Sequence, residues 1–248
     1  MMHKGGPIVL ALGAAGALLL GVQASTPAVT PSADPPKCES DAMIVFDASG
    51  SMTGMGFGEN TVTRIQQVRR ALATVLPSVA PVRNLGLVVF GPGAHSQCEN
   101  IDLKLPPGPN SAGRIMGEVN MLQPYGQTPI TSAVSVAADA LDYRHRPAVI
   151  VLLTDGEETC RGNPCELGEQ LKTTGAGVTV HVIGYMLNDT NVPASGQFVR
   201  CLSETTGGMF ISTETTEELI AALQKTLGCP VLSSLQKPRL VATRTNWK

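Results

Sequence analysis

The strongest constraint on the fold is the run at residues 148–153, six consecutive apolar side chains that stop at Thr154-Asp155. A strand with one wet face alternates apolar and polar residues, so a run this continuous must be covered on both sides. The runs 43–46, ending in Asp47, and 85–90 share the pattern, and 178–183 reads as another strand. Segments of helical period separate them. Within 64–76, Ile65, Val68, Leu72, Val75 and Leu76 share one face, with Arg64, Arg69 and Arg70 on the other, and Pro77 is expected to stop the helix. Ser111 is placed to cap a helix carrying Ile115, Met116, Val119 and Leu122. Residues 131–141 read as an Ala/Val helix, and 165–172 as a helix closed by Gly175. Residues 197–205 form a helix that turns at Gly207-Gly208 into a strand over 209–211. Thr215 and Glu218 have capping-box spacing and open a helix that runs to Leu227, before Gly228. Residues 101–105 instead alternate, as a half-exposed edge strand would, and Pro106-Pro107 is expected to end it. The expected class is α/β, with a doubly wound, mostly parallel sheet and helices on both faces.

The N-terminus sets the compartment. Lys4 is the only charged side chain before Asp34, and an apolar stretch over 7–22 leads to Val22-Gln23-Ala24-Ser25. This is the layout of a secretory signal peptide over 1–24, cleaved after Ala24. A retained N-terminal anchor is the alternative, but the stretch has 16 residues and three Gly, short of the ~20 residues a spanning helix needs. A Pro-rich linker over 25–37, one domain over 38–229 and a basic tail over 230–248 follow. The expected location is periplasmic or extracellular, with no stable membrane span once the signal is removed. The net charge of -2 argues against nucleic-acid binding, which needs a clustered basic surface.

In open parallel sheets, ligands bind beyond the carboxyl ends of the strands. Three loops there carry hard oxygen donors: Asp47-Ala48-Ser49-Gly50-Ser51 after the first strand, Gly126-Gln127-Thr128-Pro129 before the Ala-rich helix, and Thr154-Asp155-Gly156 after the longest apolar run. Two carboxylates and three hydroxyls suit a small hard cation. The alternation in D-x-S-x-S lets one turn aim Asp47, Ser49 and Ser51 at one point, with Gly50 permitting the tight turn.

The combination resembles the von Willebrand factor type A (vWA) domain family and its metal-ion-dependent adhesion site, MIDAS. Asp47, Ser49, Ser51, Thr128 and Asp155 match the family motif residue by residue. The likeness extends over about 40–228 and is similar to bacterial exported members, with Thr-Pro-Ile after Gln127 and Thr-Gly-Gly before the last strand. It implies a six-stranded Rossmann-like sheet with the 101–105 edge strand antiparallel. It also implies Mg²⁺ (or Mn²⁺) held by those five residues, with one coordination position left for an Asp or Glu carboxylate of a protein partner. In the family, residues matching Ser49 and Ser51 usually bind metal directly. The residue matching Thr128 does so in the ligand-competent state, and those matching Asp47 and Asp155 often act through water.

Six cysteines in an exported chain read as disulfides. Cys160 and Cys165 make a C-x4-C pair suited to a short clip, with a zinc pair as the rival reading. Cys38 and Cys229 bracket the domain, which leaves Cys98 for Cys201. Gly54, Gly56 and Gly58 punctuate a loop in which Met52, Met55 and Phe57 could rim a partner site. His95, His145 and His181 invite an enzymatic reading, with His181 inside a strand; no G-x-S-x-G elbow occurs. The expected function is a metal-dependent protein-binding module, not an enzyme, with specificity from loops 52–60, 91–99 and 156–164. An assembly or maturation factor and a metal-assisted hydrolase are the alternatives.

Overall fold

Six strands form one sheet in the order β3-β2-β1-β4-β5-β6. The computed structural model describes residues 37–56, 61–92, 98–187 and 197–229. The expected signal peptide over 1–24, the tail over 230–248 and, apart from Lys37, the linker over 25–37 lie outside the described residues. So do His95, Phe57 and Gly58. The strands are β1 (Asp41–Asp47), β2 (Leu85–Phe90), β3 (Ile101–Gly108), β4 (Ala148–Thr154), β5 (Val178–Tyr185) and β6 (Phe210–Thr213). All neighbouring pairs are parallel except β2 and β3. The helices are α1 (Arg64–Val79), α2 (Ala112–Met121), α3 (Ile130–Ala140), α4 (Pro164–Thr174), α5 (Gln197–Thr205) and α6 (Thr216–Leu227).

The apolar runs are continuous because each strand feeds two cores. From β1, Ala42, Ile44 and Phe46 pack with residues of α1, α2 and α6, while Met43 and Val45 pack with α3, α4 and α5. All five are fully buried. Burial of a Val, Ile or Phe side chain stabilises the fold by about 1.5–3 kcal/mol. That term holds β1 and β4 at the centre of the sheet, so the loops that leave them start from fixed points.

The structure corrects four sequence expectations in this scaffold. Helix α1 does not stop at Pro77; it continues to Val79 with Pro77 in its last turn. The carbonyl that loses its amide there belongs to Ala73, a solvent-exposed residue, so the lost bond falls on the wet side of the helix. Strand β3 likewise runs through Pro106-Pro107 to Gly108. It is an edge strand with register shifts against β2, a setting in which missing amides break few ladder bonds. Ser111 precedes α2 but its side chain makes no capping bond. Arg69 is not a solvated face residue: Nε donates to Val119 O at 3.0 Å and Nη2 to Leu122 O at 2.7 Å, tying α1 to the end of α2.

All six cysteines are paired, but two of the three pairings differ from expectation. Cys38–Cys229 joins the two ends of the domain as anticipated. Cys98 bonds Cys160 and Cys165 bonds Cys201, in place of Cys160–Cys165 and Cys98–Cys201. The reason is helix α4. Pro164 begins it, so Cys165 sits in its first turn, on a helix packed closely against α5. Gly168 permits that approach: a Cβ there would lie 3.4 Å from the Leu202 Cα. Cys160, still in the loop, meets the loop that follows β2.

Candidate metal centre

Strands β1 and β4 are parallel neighbours, so their carboxyl ends bring Asp47 and Asp155 side by side. Both are buried. The Asp47 carboxylate is gripped from both sides: Ser49 N donates to Oδ1 at 2.7 Å, and Thr154 Oγ1 donates to Oδ2 at 2.6 Å. The loop after β1 then forms a 3₁₀ turn over Gly50–Thr53. Its position is set by the loop before α3. Gly50 N donates to Gly126 O at 3.0 Å, Tyr125 N to Ala48 O at 3.2 Å, and Gly126 N to Gly91 O at 2.9 Å. Gly50 serves close approach: a Cβ there would lie 2.8 Å from the Tyr125 carbonyl oxygen. Thr128 is fixed from the other side, where its N donates to Thr159 Oγ1 at 2.8 Å and Thr159 N returns a bond to its carbonyl at 3.1 Å.

The five expected side chains therefore converge. Ser49 Oγ lies 3.0 Å from Ser51 Oγ, and Ser51 Oγ donates to Asp155 Oδ1 at 2.5 Å. Gly156 faces Ser51 and the remaining hydroxyl, that of Thr128, since a Cβ there would lie 3.7 Å from Ser51 Oγ and 3.9 Å from Thr128 Oγ1. The second oxygen of Asp155 carries an ion pair to Arg64 Nη1 at 2.8 Å. Burial first, and the neighbouring Asp155 second, push the Asp47 carboxyl up to about 7. Two buried carboxylates that repel one another beside three hydroxyls are a donor set that fits a small hard divalent cation. Among the described residues no group of three or more His, Cys, Asp or Glu gathers, here or elsewhere, so the donor set rests on two carboxylates and three hydroxyls. The C-x4-C zinc pair is ruled out because Cys160 and Cys165 sit in different disulfides.

Several residues of the site were not anticipated from sequence. Thr154 anchors Asp47, and Thr159 pins Thr128. Glu158 accepts from Thr131 N and Cys160 N, each at 2.8 Å, bracing the loop over 156–163 against α3. Gly91 has a φ of +75° and abuts Ser49 N. A glycine directly after a strand that ends near a ligand loop is a usable sequence signal. The helical period places Arg64 on the face of α1 opposite its apolar residues. At the first position of α1 its long side chain reaches past the helix end, which a helical wheel does not represent.

The expected apolar rim is only partly present. Met52 is buried in the core, not displayed, whereas Met55 is exposed. Tyr125, not considered from sequence, is 60% exposed on the loop bonded to Ala48. Neither described histidine joins the centre. His145 pairs with Asp142 at 2.6 Å, at the opposite end of β4 from Asp155. His181 Nδ1 accepts from Met209 N at 3.1 Å, and burial, followed by the charges of Arg83 and Lys225, holds its pKa below the ordinary value.

The von Willebrand factor type A domain model matches residues 42–158. The chain is 27% identical over 228 residues to the uncharacterized protein YwmD of Bacillus subtilis, covering 88% of this chain and 96% of YwmD. Among solved structures, an aerotolerance-related membrane protein from Bacteroides fragilis superposes with a TM-score of 0.58 at 16% identity, covering 76% of this chain and 98% of that one. The pilus adhesin SpaC from Lactobacillus rhamnosus GG gives a TM-score of 0.57 at 17% identity, covering 77% of this chain and 31% of SpaC. At these identities the solved structures speak for the fold alone. The match to the von Willebrand factor type A domain model spans the strands and loops that build the centre, and the chain shares the fold of these solved structures.

Proposed function

We propose that the chain is an exported binding module in which Asp47, Ser49, Ser51, Thr128 and Asp155 hold Mg²⁺ (or Mn²⁺) and the loaded site takes an Asp or Glu carboxylate of a protein partner. The observation that carries this reading is the convergence of Ser49, Ser51 and Asp155 at hydrogen-bond distance, with Thr128 beside them, at the carboxyl ends of adjacent strands. The cation supplies electrostatic attraction for a carboxylate. The chain's own residues do the rest. Thr154 and the Ser49 amide orient Asp47, Thr159 orients Thr128, and exposed Tyr125 and Met55 offer apolar surface on flanking loops. Exposed aromatic and Met side chains are enriched where partners dock. That one fold neighbour is a pilus adhesin agrees with a binding role rather than catalysis. Three disulfides fit an oxidising compartment, and no described helix is long and apolar enough to cross a membrane. We place the protein in the periplasm or outside the cell, after cleavage of residues 1–24.

The test is a pull-down of exported host proteins on the immobilised chain in Mg²⁺ and in EDTA, with Asp155→Ala alongside. The expected result is a protein captured in Mg²⁺, released by EDTA and not captured by the variant. Capture indifferent to both EDTA and the substitution would overturn the metal-dependent reading.

A further inference from the structure

Arg64 is in an unusual place for a cation. It is the first residue of α1, at the positive end of the helix dipole, and no acidic side chain lies in that turn to offset it. Lys and Arg are disfavoured there by about 0.3–1 kcal/mol. Its compensation comes from outside the helix, from Asp155, whose side chain is fully buried. The guanidinium is held in position by the loop it leans on. Arg64 N donates to Gly54 O at 2.8 Å, and a Cβ at Gly54 would lie only 3.3 Å from Arg64 Nε and 3.4 Å from Cζ. Arg64 Nε is buried with no hydrogen-bond partner among the described residues. The side chain is still 26% exposed. A positive charge is thus built into the rim of the candidate centre, on the same carboxylate that the cation would use.

We propose that Arg64 couples the two ligands of the site: it holds back the divalent cation when the cation is alone and favours it once an acidic group arrives. This rests on the metal-dependent reading above. The argument is one of charge. With both carboxylates ionised around a divalent cation, Asp47 and Asp155 would balance the metal by themselves. Arg64 adds one positive charge, so the loaded site is cationic until one further carboxylate neutralises it. The same charge that opposes metal entry attracts the partner's acid, and because metal and acid favour one another reciprocally, acid drawn in by Arg64 raises the affinity for the metal. Arg64 is a positioning and specificity residue in this scheme; it is no member of the donor set.

The experiment is calorimetric titration of the full chain with MgCl₂, in chloride and in acetate at equal ionic strength, for wild type, Arg64→Gln and Arg64→Lys. Arg64→Gln is expected to bind Mg²⁺ about tenfold more tightly in chloride. That is the lower end of what one charge at ion-pair distance does to a carboxylate's affinity for a cation. It should also gain less from acetate than wild type does. Arg64→Lys keeps the charge and should stay within about twofold of wild type. If Arg64→Gln fails to fold, Arg64→Met keeps the aliphatic stem against Gly54 and is held to the same expectation. A neutral variant that binds Mg²⁺ no more tightly than wild type, or that responds to acetate equally, overturns the coupling and leaves Arg64 a structural counterion of Asp155. Absence of Mg²⁺ binding by wild type and variants alike overturns the metal reading and the coupling together.

Discussion

At the scale of single residues, the centre depends as much on glycine as on its donors. Gly91 follows β2 with a φ of +75°, and a Cβ on it would come within 2.7 Å of Ser49 N and 2.8 Å of Gln127 O. Both contacts are backbone, so neither neighbour yields cheaply. Gly91→Ala is therefore expected to cost about 2–4 kcal/mol, combining left-handed strain with displacement of the Ser49 loop. Gly117→Ala in α2 is the control: nothing lies within 4 Å of the added carbon. It should be neutral or stabilising by up to ~1 kcal/mol. Urea midpoints for the two variants check both; equal midpoints would show that Gly91 does not fix the loop. The candidate donors were legible in the sequence because Asp47, Ser49, Ser51 and Asp155 follow the ends of apolar runs and Thr128 directly precedes an Ala/Val helix. Their supports were harder to read. Thr154, Thr159 and Arg64 act through contacts between residues distant in sequence, and spacing along one strand or helix carries no trace of those.

At the scale of elements, the disulfides divide into a scaffold set and a site-bracing bond. Cys165–Cys201 joins α4 to α5 on one side of the sheet. Cys98–Cys160 instead ties the loop after β2 to the loop after β4, beside Thr159 and Glu158. Replacing Cys98 and Cys160 by Ser should cost about 2–4 kcal/mol. It should also weaken Mg²⁺ binding, since Thr159 would hold Thr128 less firmly. Replacing Cys165 and Cys201 by Ser should lower stability by a similar amount and leave Mg²⁺ affinity unchanged. Urea denaturation with Mg²⁺ calorimetry on both double variants makes the comparison; equal loss of Mg²⁺ affinity in the two would contradict the division. The pairing was not legible because C-x4-C spacing says nothing of where α4 begins. Pro164 opens the helix between the two cysteines and sends them to different neighbours. The prolines misled for a related reason: their cost depends on whether the lost amide would have faced water or a ladder, as at Pro77 and Pro106.

At the scale of the whole molecule, the two ends of the sheet have different jobs. The carboxyl ends of β1 and β4 gather the donors and Arg64, while the two chain ends of the domain meet at the Cys38–Cys229 bond. The six strands and the single antiparallel edge follow what the family resemblance implies. The mostly parallel, doubly covered sheet was legible because it rests on hydrophobic pattern, which is local and strong. A rigid, doubly covered sheet also explains how oxygen donors that crowd and repel one another persist: packing on both faces fixes the strand ends, and the loops have little room to relax. The most direct measurement is calorimetric titration of MgCl₂ into the full chain and into Asp155→Ala, with circular dichroism confirming that the variant is folded. A single saturable site in the wild-type chain, weakened at least about tenfold in the variant, is the expected result. Equal Mg²⁺ binding by the two folded proteins would contradict it.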